Sequence, residues 1–598
     1  MTAGVDFFSL AVLYTRLVRI FVTRALIRAP EEREFLMARK IRAVVLYVLL
    51  LGLSGIVGCG GCGSKAPLGY VPYDAAAVMV VPSVKKSFDH MKKLLNNFDD
   101  GGIASTLLGQ KKAEIVDQLG FDPENADSLK KIGVDPSQGL VVSVTALGEV
   151  AIVLTTADKA KFEAYLKAQL KKHLNDEISV KETTVSGVTS TVLFKPGEEA
   201  KPVAAWSVVK KHFIFCIDAD KRKPAHYLAQ LTKLKKTIAT NKAFNKLKGK
   251  IGKHDLLFYV SAEAIKKQTA KKREEKLAKA SDWMKKYIKE KQETEEKVMA
   301  YFEALVFGVE LSGKSAAIRA YVAIPPEKGK AIHAVLKGVG KASDFGKFIG
   351  PDAIALARFS LNLNNLMDKV IELSPDARKG KLTKNADKIK EATKLDLKKD
   401  ILGAFAGRYA FALYPPSSLG KLIKPNARPK DILSAIPAAL LVQMASAEKA
   451  TKLMAKLTDL AQQGGVPLQM KAEKDAKIYS IGVPGGALIE WVLVKDLLVV
   501  ASGEQLAKTL KLIKSGGGNV LDKIKTTRAK GLLKKDDGIL LYFSYSTVHK
   551  MLTEAELPSQ LKMMLAAALG PLAKFRDMVL SMEVNDDGFL TEFAVNLN

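Results

Sequence analysis

The feature that most constrains the fold of this chain is an internal repeat. Residues 206–214, which begin with Trp206 and have the pattern of a β-strand, recur as residues 491–499, 285 positions later. Residues 156–160 recur in the same order as residues 446–450, 290 positions later. Chance similarity between Lys- and Ala-rich helices would not place two of the three tryptophans in matching surroundings. Self-similarity of this kind predicts two copies of one structural unit.

The two copies also open and close alike. An Asp followed by an apolar run starts each copy and recurs midway, and each copy ends on two strands around a Gly-containing turn. The matching segments are residues 74–81 and 352–359, 255–261 and 537–544, and 305–324 and 578–597. Successive strands joined by short turns favour antiparallel sheet backed by helices. We therefore predict an α+β fold made by tandem duplication, with a first half over residues 72–347 and a second over residues 348–598.

Local patterns refine this prediction. In each copy an apolar strand leads into a helix, with a predicted Ser/Thr N-cap at Thr156 and at Ser446 and an acid in the first turn. The first copy carries a Lys/Glu-rich helical insertion over residues 262–300. We expect its interrupted apolar stripe to pack on its own half, and a partner-binding helix is the alternative. The second copy carries a basic stretch over residues 378–399 that we expect to be loop-rich.

Residues 37–59 have the parts of a secretory signal. Basic residues at positions 39, 40 and 42 precede an apolar run over residues 43–53, and small residues then lead to Cys59. Residues 56–59, Ile-Val-Gly-Cys, resemble the lipobox of bacterial lipoproteins. The resemblance implies cleavage after Gly58 and acyl chains on Cys59. An uncleaved transmembrane anchor is the alternative, but a spanning helix needs about 20 apolar residues and this stretch is shorter.

The residues before this signal have two interpretations. Residues 7–27 form a separate apolar stretch that contains three arginines, which suits an amphipathic or membrane-spanning helix. The other interpretation is that translation starts at Met37, and we favour it because a signal belongs at the amino terminus. Residues 1–36 are then a mis-assigned start, and residues 37–58 are the signal peptide. Residues 59–71 form a Gly-rich tether that keeps the body near the bilayer.

The charge of the chain points to anionic partners. It contains 93 Lys and Arg against 63 Asp and Glu, a formal net charge of +30, and most of the bases are Lys. Arg forks and interleaved aromatics, which specific nucleic-acid recognition uses, are not concentrated here, so we expect no specific nucleic acid. A Lys-rich surface favours anionic lipid or polysaccharide, and a merely solvated surface that keeps the protein soluble is the alternative.

The three cysteines do not suggest a disulfide or a metal site. Cys59 is the predicted lipid site, Cys62 lies in the tether, and Cys216 lies in an apolar segment that has the pattern of a buried strand. A tether thiol and a core thiol are poorly placed to pair, so we expect no disulfide. Their spacing also excludes a zinc knuckle.

Motifs for catalysis are present only in part. Residues 308–315 match the P-loop pattern, but a strand-like segment rather than a helix follows, so we expect a hairpin turn. Ser-x-x-Lys at residues 83–86, 418–421 and 446–449 lacks the companion motifs of penicillin-interacting enzymes. The seven histidines are scattered without ligand spacing. We therefore expect no catalytic residue, no metal site and no cofactor, and a protein that is not an enzyme.

Three repeated features resemble a known family. They are the strand that precedes the 156–160 segment with its helix, the Trp-x-x-Val-Lys strand, and the closing Asp-strand-helix. Together they are similar to a bacterial domain of unknown function found in exported and membrane-anchored proteins. The similarity covers most of residues 72–598 and implies fold and location, with no catalytic residues to transfer.

These observations define one leading hypothesis for function. The chain is expected to be a lipoprotein of the bacterial cell envelope, anchored through Cys59. Its two domains would act as a non-enzymatic binding or structural module for anionic envelope components. The alternative is a carrier or chaperone for an apolar envelope ligand, held between a curved sheet and its helices. Gly60 replaces the Asp that retains some lipoproteins at the inner membrane, which favours the outer membrane or the periplasmic face.

Overall fold

A computed structural model shows a mixed α+β protein with antiparallel sheet throughout. Its contacts divide the chain into two compact units, with the division between Gly313 and Lys314. The structure describes residues 66–597 apart from 99–115, 117–119, 123–124, 147, 175–178, 195–201, 218–222, 279, 286–287, 289–295, 297–299, 339–344, 374–375, 417–436, 474–475, 483–487, 503, 524–537, 555–558, 561–562 and 564–573. The predicted signal peptide, the cleavage at Gly58 and the lipid site at Cys59 lie outside the described residues.

Unit 1 is built on a meandering sheet. Its described strands are β1 (Ala77–Val81), β2 (Leu140–Val144), β3 (Val150–Thr155), β4 (Ser179–Val185), β5 (Val188–Phe194), β6 (Pro202–Val209), β7 (His212–Ile217), β8 (Leu256–Ser261) and β9 (Ala304–Ser312). They pair antiparallel in the order β9-β8-β1-β2-β3-β7-β6-β5-β4.

Unit 2 repeats this sheet and adds two strands. Its described strands are β10 (Ser315–Ala323), β11 (Ala355–Ser360), β12 (Phe405–Leu413), β13 (Ala438–Met444), β14 (Leu468–Glu473), β15 (Ala476–Gly482), β16 (Leu488–Val494), β17 (Leu497–Ser502), β18 (Ile539–Phe543), β19 (Phe575–Asn585) and β20 (Gly588–Leu597). The order is β10-β20-β19-β18-β11-β12-β13-β17-β16-β15-β14, again antiparallel.

The helices connect these strands. Unit 1 contains α1 (Val84–Phe98), α2 (Ala126–Lys131), α3 (Lys159–Leu174), α4 (Pro224–Thr232), α5 (Lys242–Ile251) and α6 (Ala262–Ala278). Unit 2 contains α7 (Pro326–Leu336), α8 (Leu363–Leu373), α9 (Asp376–Thr393), α10 (Ala447–Gln463), α11 (Gln505–Ser515), α12 (Val520–Lys523) and α13 (Tyr545–Glu554). Short 3-10 turns lie at Pro67–Tyr70, Ile238–Thr240, Phe345–Phe348 and Leu402–Ala404.

The repeat extends to the register of the strand pairs. Trp206 on β6 pairs with Phe215 on β7, and Trp491 on β16 pairs with Val500 on β17, each residue 285 positions after its counterpart. Both hairpins turn through a Lys with positive φ, at Lys210 and Lys495. The strand order after β20 in unit 2 equals the order in unit 1. The α+β duplication is therefore confirmed. The predicted boundary between residues 347 and 348 marks where the sequence repeat begins again. The division between Gly313 and Lys314 is based on compactness, which is a different criterion, so the predicted boundary stays a prediction.

The predicted N-cap is right in the second copy and displaced by two residues in the first. The Ser446 hydroxyl accepts the backbone N–H of Lys449 at 3.1 Å, and α10 begins at the next residue. In the first copy Asp158, not Thr156, accepts the N–H of Lys161 at 3.1 Å before α3. This backbone hydrogen bond also lowers the pKa of Asp158. A carboxylate caps a helix as well as a hydroxyl does, which the Ser/Thr pattern overlooks.

The expectation of a loop-rich stretch over residues 378–399 is wrong for most of its length. Residues Asp376–Thr393 form α9, and one π-helical turn follows at Leu397–Ile401 with Asp396 as its N-cap. Lys, the commonest residue of this stretch, is a strong helix former whether or not the segment has an apolar face. Its high charge therefore describes a solvated helix rather than a loop.

Candidate apolar binding face

The described strands of unit 2 carry an apolar residue at every position of one row across the sheet. In an antiparallel sheet directly opposed residues point to the same side, so the register identifies the members of a row. The central row, in strand order, is Ile318, Phe593, Leu580, Leu541, Ala357, Phe411, Leu440, Val500, Trp491, Tyr479 and Met470.

Two flanking rows on the same side are nearly as apolar. One contains Ala316, Val595, Met578, Phe543, Ala355, Leu413, Ala438, Ser502, Ile489, Ile481 and Leu468; the other contains Ala320, Thr591, Met582, Ile539, Phe359, Tyr409, Val442, Leu498 and Leu493. No member of the three rows is charged. We call these three rows the apolar face of unit 2. At the usual strand spacing and rise it measures roughly 50 by 14 Å.

The apolar face is only partly covered. In its central row Ile318, Phe411, Leu541 and Met470 are 39, 37, 42 and 59% exposed, and the other members are half-buried. In the flanking rows only Tyr409 and Val442 are buried. Exposed apolar side chains that share one side of a sheet form a patch, and patches of this kind are candidates for binding surfaces.

The opposite side of the same sheet is a closed core. Leu356, Ala412, Ala439 and Ala501 on that side are at most 3% exposed, and they cluster with Leu506 of α11. Small residues on the strands let the helix approach closely. The sheet of unit 2 is therefore fully packed on one side and partly covered on the other.

In unit 1 the equivalent face is buried at three positions of its central row, whereas Met79, Val142, Phe258 and Phe307 of that row are half-buried. Ile152, Phe215 and Trp206 are 0, 3 and 5% exposed, whereas their counterparts Leu440, Val500 and Trp491 are half-buried. The matched strands pair in the same register, so the difference does not come from the sheet.

The difference comes from what packs over the sheet. In unit 1 the Phe162 ring of α3 is completely buried and meets Phe213 edge to face, with ring centroids 4.9 Å apart. The strands β3 and β13 and the starts of α3 and α10 match at an offset of 288 residues, so the counterpart of Phe162 on α10 is Ala450. Ala450 is buried in a cluster with Val442 and Leu453, and it has no ring to fill the volume that Phe162 fills in unit 1.

Two hydrogen-bond donors on the apolar face have no acceptor among the described residues. The Tyr409 hydroxyl and the Trp491 Nε1–H are both shielded from solvent. Tyr409 stacks on Phe359 at 4.9 Å, and burial raises its pKa to about 12. Trp491 stacks on Tyr479 at 5.8 Å. A buried donor without an acceptor costs free energy, so such groups call for an explanation.

The catalytic motifs considered from sequence do not form a site. β9 ends at Ser312 and β10 begins at Ser315, so the P-loop-like residues form strand, turn and strand, as expected. Ser83 directly precedes α1 and Ser446 caps α10, whereas Ser418 lies outside the described residues.

The histidines and Cys216 are likewise dispersed in the described part of the chain. His90 contacts the buried Asp255 at 3.0 Å, His333 contacts Asp586 at 2.9 Å, and His212 contacts Thr155 at 3.1 Å. Cys216 is a buried thiol on β7. Within the described ranges, no group of three or more His, Cys, Asp or Glu side chains could hold a metal ion.

The apolar face was missed from sequence, although a signal for it exists. The strands β16, β17 and β18 read LIEWVLV, LLVVAS and ILLYF, which are nearly continuous apolar runs. Such runs are usual for strands buried on both sides. Periodicity cannot tell a strand that is covered on both sides from one whose second side binds a ligand.

Comparisons with known proteins give little further information. No protein-family model matches the sequence, and no curated protein matches it. Three crystal forms of TP0453 show distant structural similarity to this chain. Form IV has 10% identity over 44% of this chain and 81% of its own, and form I has 12% over 47% and 89%. Form III has 11% over 47% and 90%. The TM-scores, 0.21 to 0.22, are too low to carry an argument.

Among the described helices, none combines the length and the apolar composition needed to cross a bilayer.

Proposed function

We propose that the protein is a non-enzymatic lipid-binding module of the bacterial envelope, and that the apolar face of unit 2 receives the acyl chains of its ligand. The single observation that carries this proposal is the uncharged, partly exposed face that crosses all eleven described strands of unit 2. Burial of apolar surface yields roughly 25 cal/mol per Å², so a ligand covering even part of this face gains several kcal/mol.

Charge complementarity favours a lipid with an anionic headgroup. Lys477 lies on β15 two residues before Tyr479 and is exposed beside the end of the face. Exposed Lys449 and Lys452 lie on α10, which packs toward the edge of the face near Val442. Basic side chains that border apolar surface suit an amphiphile whose chains contact the sheet and whose headgroup stays in water.

A second copy of the chain is a poorer occupant. An isologous contact would place the same face against itself, and the side-chain oxygens of this face are limited to the hydroxyls of Ser502, Thr591, Tyr479 and Tyr409. A face with so few acceptors pairs its donors less readily against itself than against a lipid. A lipid brings both the apolar chains and oxygen acceptors.

This proposal selects the carrier alternative from the two hypotheses drawn from sequence and keeps the predicted address. A lipid anchor at Cys59 and a basic surface would hold the open face near its source of lipid. The anchor, the anionic partner and the envelope location remain predictions from the sequence.

Lipid extraction tests the proposal. The full chain with Cys59→Ser, which removes the predicted covalent acylation, is purified without detergent, and its bound lipid is measured by mass spectrometry. We expect lipid to co-purify, and the double variant Phe411→Gln/Leu541→Gln to retain several-fold less. Both replaced side chains are substantially exposed, so their replacement should leave the core intact.

The matched control is Trp283→Gln, which removes a large exposed apolar side chain outside the face. We expect this variant to retain as much lipid as the parent chain. Absence of lipid from the parent, or equal lipid in all three proteins, would contradict the proposal.

A further inference from the structure

The apolar face contains polar groups whose placement defines the ligand more closely. Tyr409 is 9% exposed, and its hydroxyl has no acceptor among the described residues. Its neighbours on the face and beneath α10 include Phe359, Val442 and Met444, none of which offers a side-chain oxygen. A buried water molecule needs two to four polar partners, so this position holds water poorly.

The Trp491 Nε1–H is the second such donor. Trp491 lies on β16, and Tyr409 lies on β12, three strand positions away in the order β12-β13-β17-β16. The strands that carry them are thus roughly 14 Å apart at the usual spacing. The residues between them on the face, Leu440, Val500, Val442 and Leu498, are apolar. The Tyr409 hydroxyl and the Trp491 Nε1–H therefore lie on opposite sides of these four apolar residues.

In unit 1 the position that corresponds to Tyr409 is occupied by a core residue. Leu140 pairs with Leu154 on β3 as Tyr409 pairs with Val442 on β13, so Leu140 is the counterpart of Tyr409. Leu140 is completely buried and has no polar side-chain atom. The hydroxyl is thus a property of the open face and not of the repeated fold.

We infer that the ligand of the apolar face is an acyl ester, whose carbonyl oxygen accepts a hydrogen bond from the Tyr409 hydroxyl or the Trp491 Nε1–H. The inference rests on the proposed function and names its ligand class. A hydrocarbon would leave both donors unpaired, whereas an ester carbonyl is an acceptor attached directly to the chain that the face binds. Because both donor atoms are shielded from solvent, the carbonyl oxygen reaches either donor only when the side chains that cover it move aside on binding. Each such hydrogen bond favours ester ligands over ligands without a carbonyl, while most of the affinity comes from burial of the acyl chain.

Two lysolipids that differ in one carbonyl test this inference. The probes are 1-palmitoyl-lysophosphatidylglycerol, an ester, and its 1-O-hexadecyl ether analogue, which has the same chain length and headgroup. Binding of each to the full chain with Cys59→Ser is measured by titration calorimetry below the micellar concentration. We expect the ester to bind roughly three- to tenfold more tightly, the value of one hydrogen bond.

Tyr409→Phe and Trp491→Phe are the informative variants. We expect Tyr409→Phe to reduce or remove the ester preference while binding of the ether stays unchanged, and Trp491→Phe to do the same if its donor is used. Because the Tyr409 hydroxyl has no acceptor within the described ranges, its removal should leave thermal unfolding unchanged or raise the midpoint slightly. Tyr479→Phe, on the same face, is the control that should keep the preference.

The outcomes separate the two proposals. If both lysolipids bind equally to the parent chain, the acyl-ester inference is wrong and the lipid-binding proposal stands. An ester preference that survives both Tyr409→Phe and Trp491→Phe also overturns the inference. If neither lysolipid binds, the proposed function itself is wrong.

Discussion

Removal of the Phe162 ring should expose the part of the unit 1 sheet that this ring covers. Phe162 is completely buried, with its ring centroid 4.9 Å from that of Phe213 and 6.5 Å from that of Tyr165. Core Phe→Ala substitutions cost about 3–5 kcal/mol through lost transfer energy and the cavity that remains. Since both ring contacts are lost, we expect Phe162→Ala to lower the free energy of unfolding of unit 1 by about 4 kcal/mol.

Urea denaturation followed by tryptophan fluorescence measures this loss. Trp206 belongs to the same cluster as Phe162, so a chain with Trp283→Phe and Trp491→Phe reports on unit 1 alone. Lysolipid titration should at the same time show a second binding site. Phe162→Leu, which keeps most of the volume, should cost about 1.5 kcal/mol or less and open no site. A loss below about 1 kcal/mol for Phe162→Ala, or a full loss without a second site, would refute the packing argument.

Three further predictions concern pH, salt and the anchor. Burial raises the pKa values of Tyr409, Tyr414 and Tyr542 to about 12, so unfolding releases their protons above pH 10 and stability falls as pH rises from 10 through 12. Between pH 8 and pH 11, each of these tyrosines should lower the free energy of unfolding by about 1.4 kcal/mol, which urea denaturation measures. A free energy of unfolding that does not change over this pH range would exclude these burial effects. Binding to vesicles rich in phosphatidylglycerol should weaken as salt rises, and co-sedimentation that ignores salt would remove the electrostatic contribution. Mass spectrometry of the mature amino-terminal peptide should find acyl groups on Cys59 that Cys59→Ser lacks, and an unmodified Cys59 would refute the predicted lipobox.

Much of the fold could be predicted from the sequence because the chain contains two copies of one unit, which can be compared with each other. Trp206 and Trp491 mark the same strand in both copies, and the structure repeats their strand pairing with the same register. The N-cap of α3 was placed incorrectly because different residue types can cap a helix. Asp158 caps α3 as Ser446 caps α10, and matching Thr156 to Ser446 displaced the first cap by two residues.

The candidate site could not be predicted from either copy alone. The sequence pattern predicts core positions for Leu440, Val500 and Trp491, as it does for their buried counterparts in unit 1. The unit 1 counterparts cluster with Phe162, whereas the matched position of α10 is Ala450, a helix residue with no local sign that it should have been larger. A lone Ala within a helix is common, and only its comparison with Phe162 in three dimensions shows that a cover is missing.

The unpaired donors show the same limit. Tyr on a strand is ordinary, and sequence cannot tell whether its hydroxyl finds an acceptor. Tyr321 donates to Asp587 at 2.6 Å, whereas Tyr409 has no such acceptor among the described residues. Which tyrosine is satisfied depends on the positions of distant residues, and those positions are set by the tertiary fold.

Quenching of tryptophan by a brominated acyl chain tests the central claim most directly. Two full-length chains with Cys59→Ser each retain one of the tryptophans of the repeat, Trp491 on the open face or Trp206 in the closed one. Each chain is titrated with phosphatidylglycerol that carries a dibrominated acyl chain, which quenches only at close range. The account predicts saturable quenching of Trp491 and little change at Trp206. Equal quenching of the two, or an unquenched Trp491 at saturating lipid, would contradict the assignment of the apolar face of unit 2 as the lipid site.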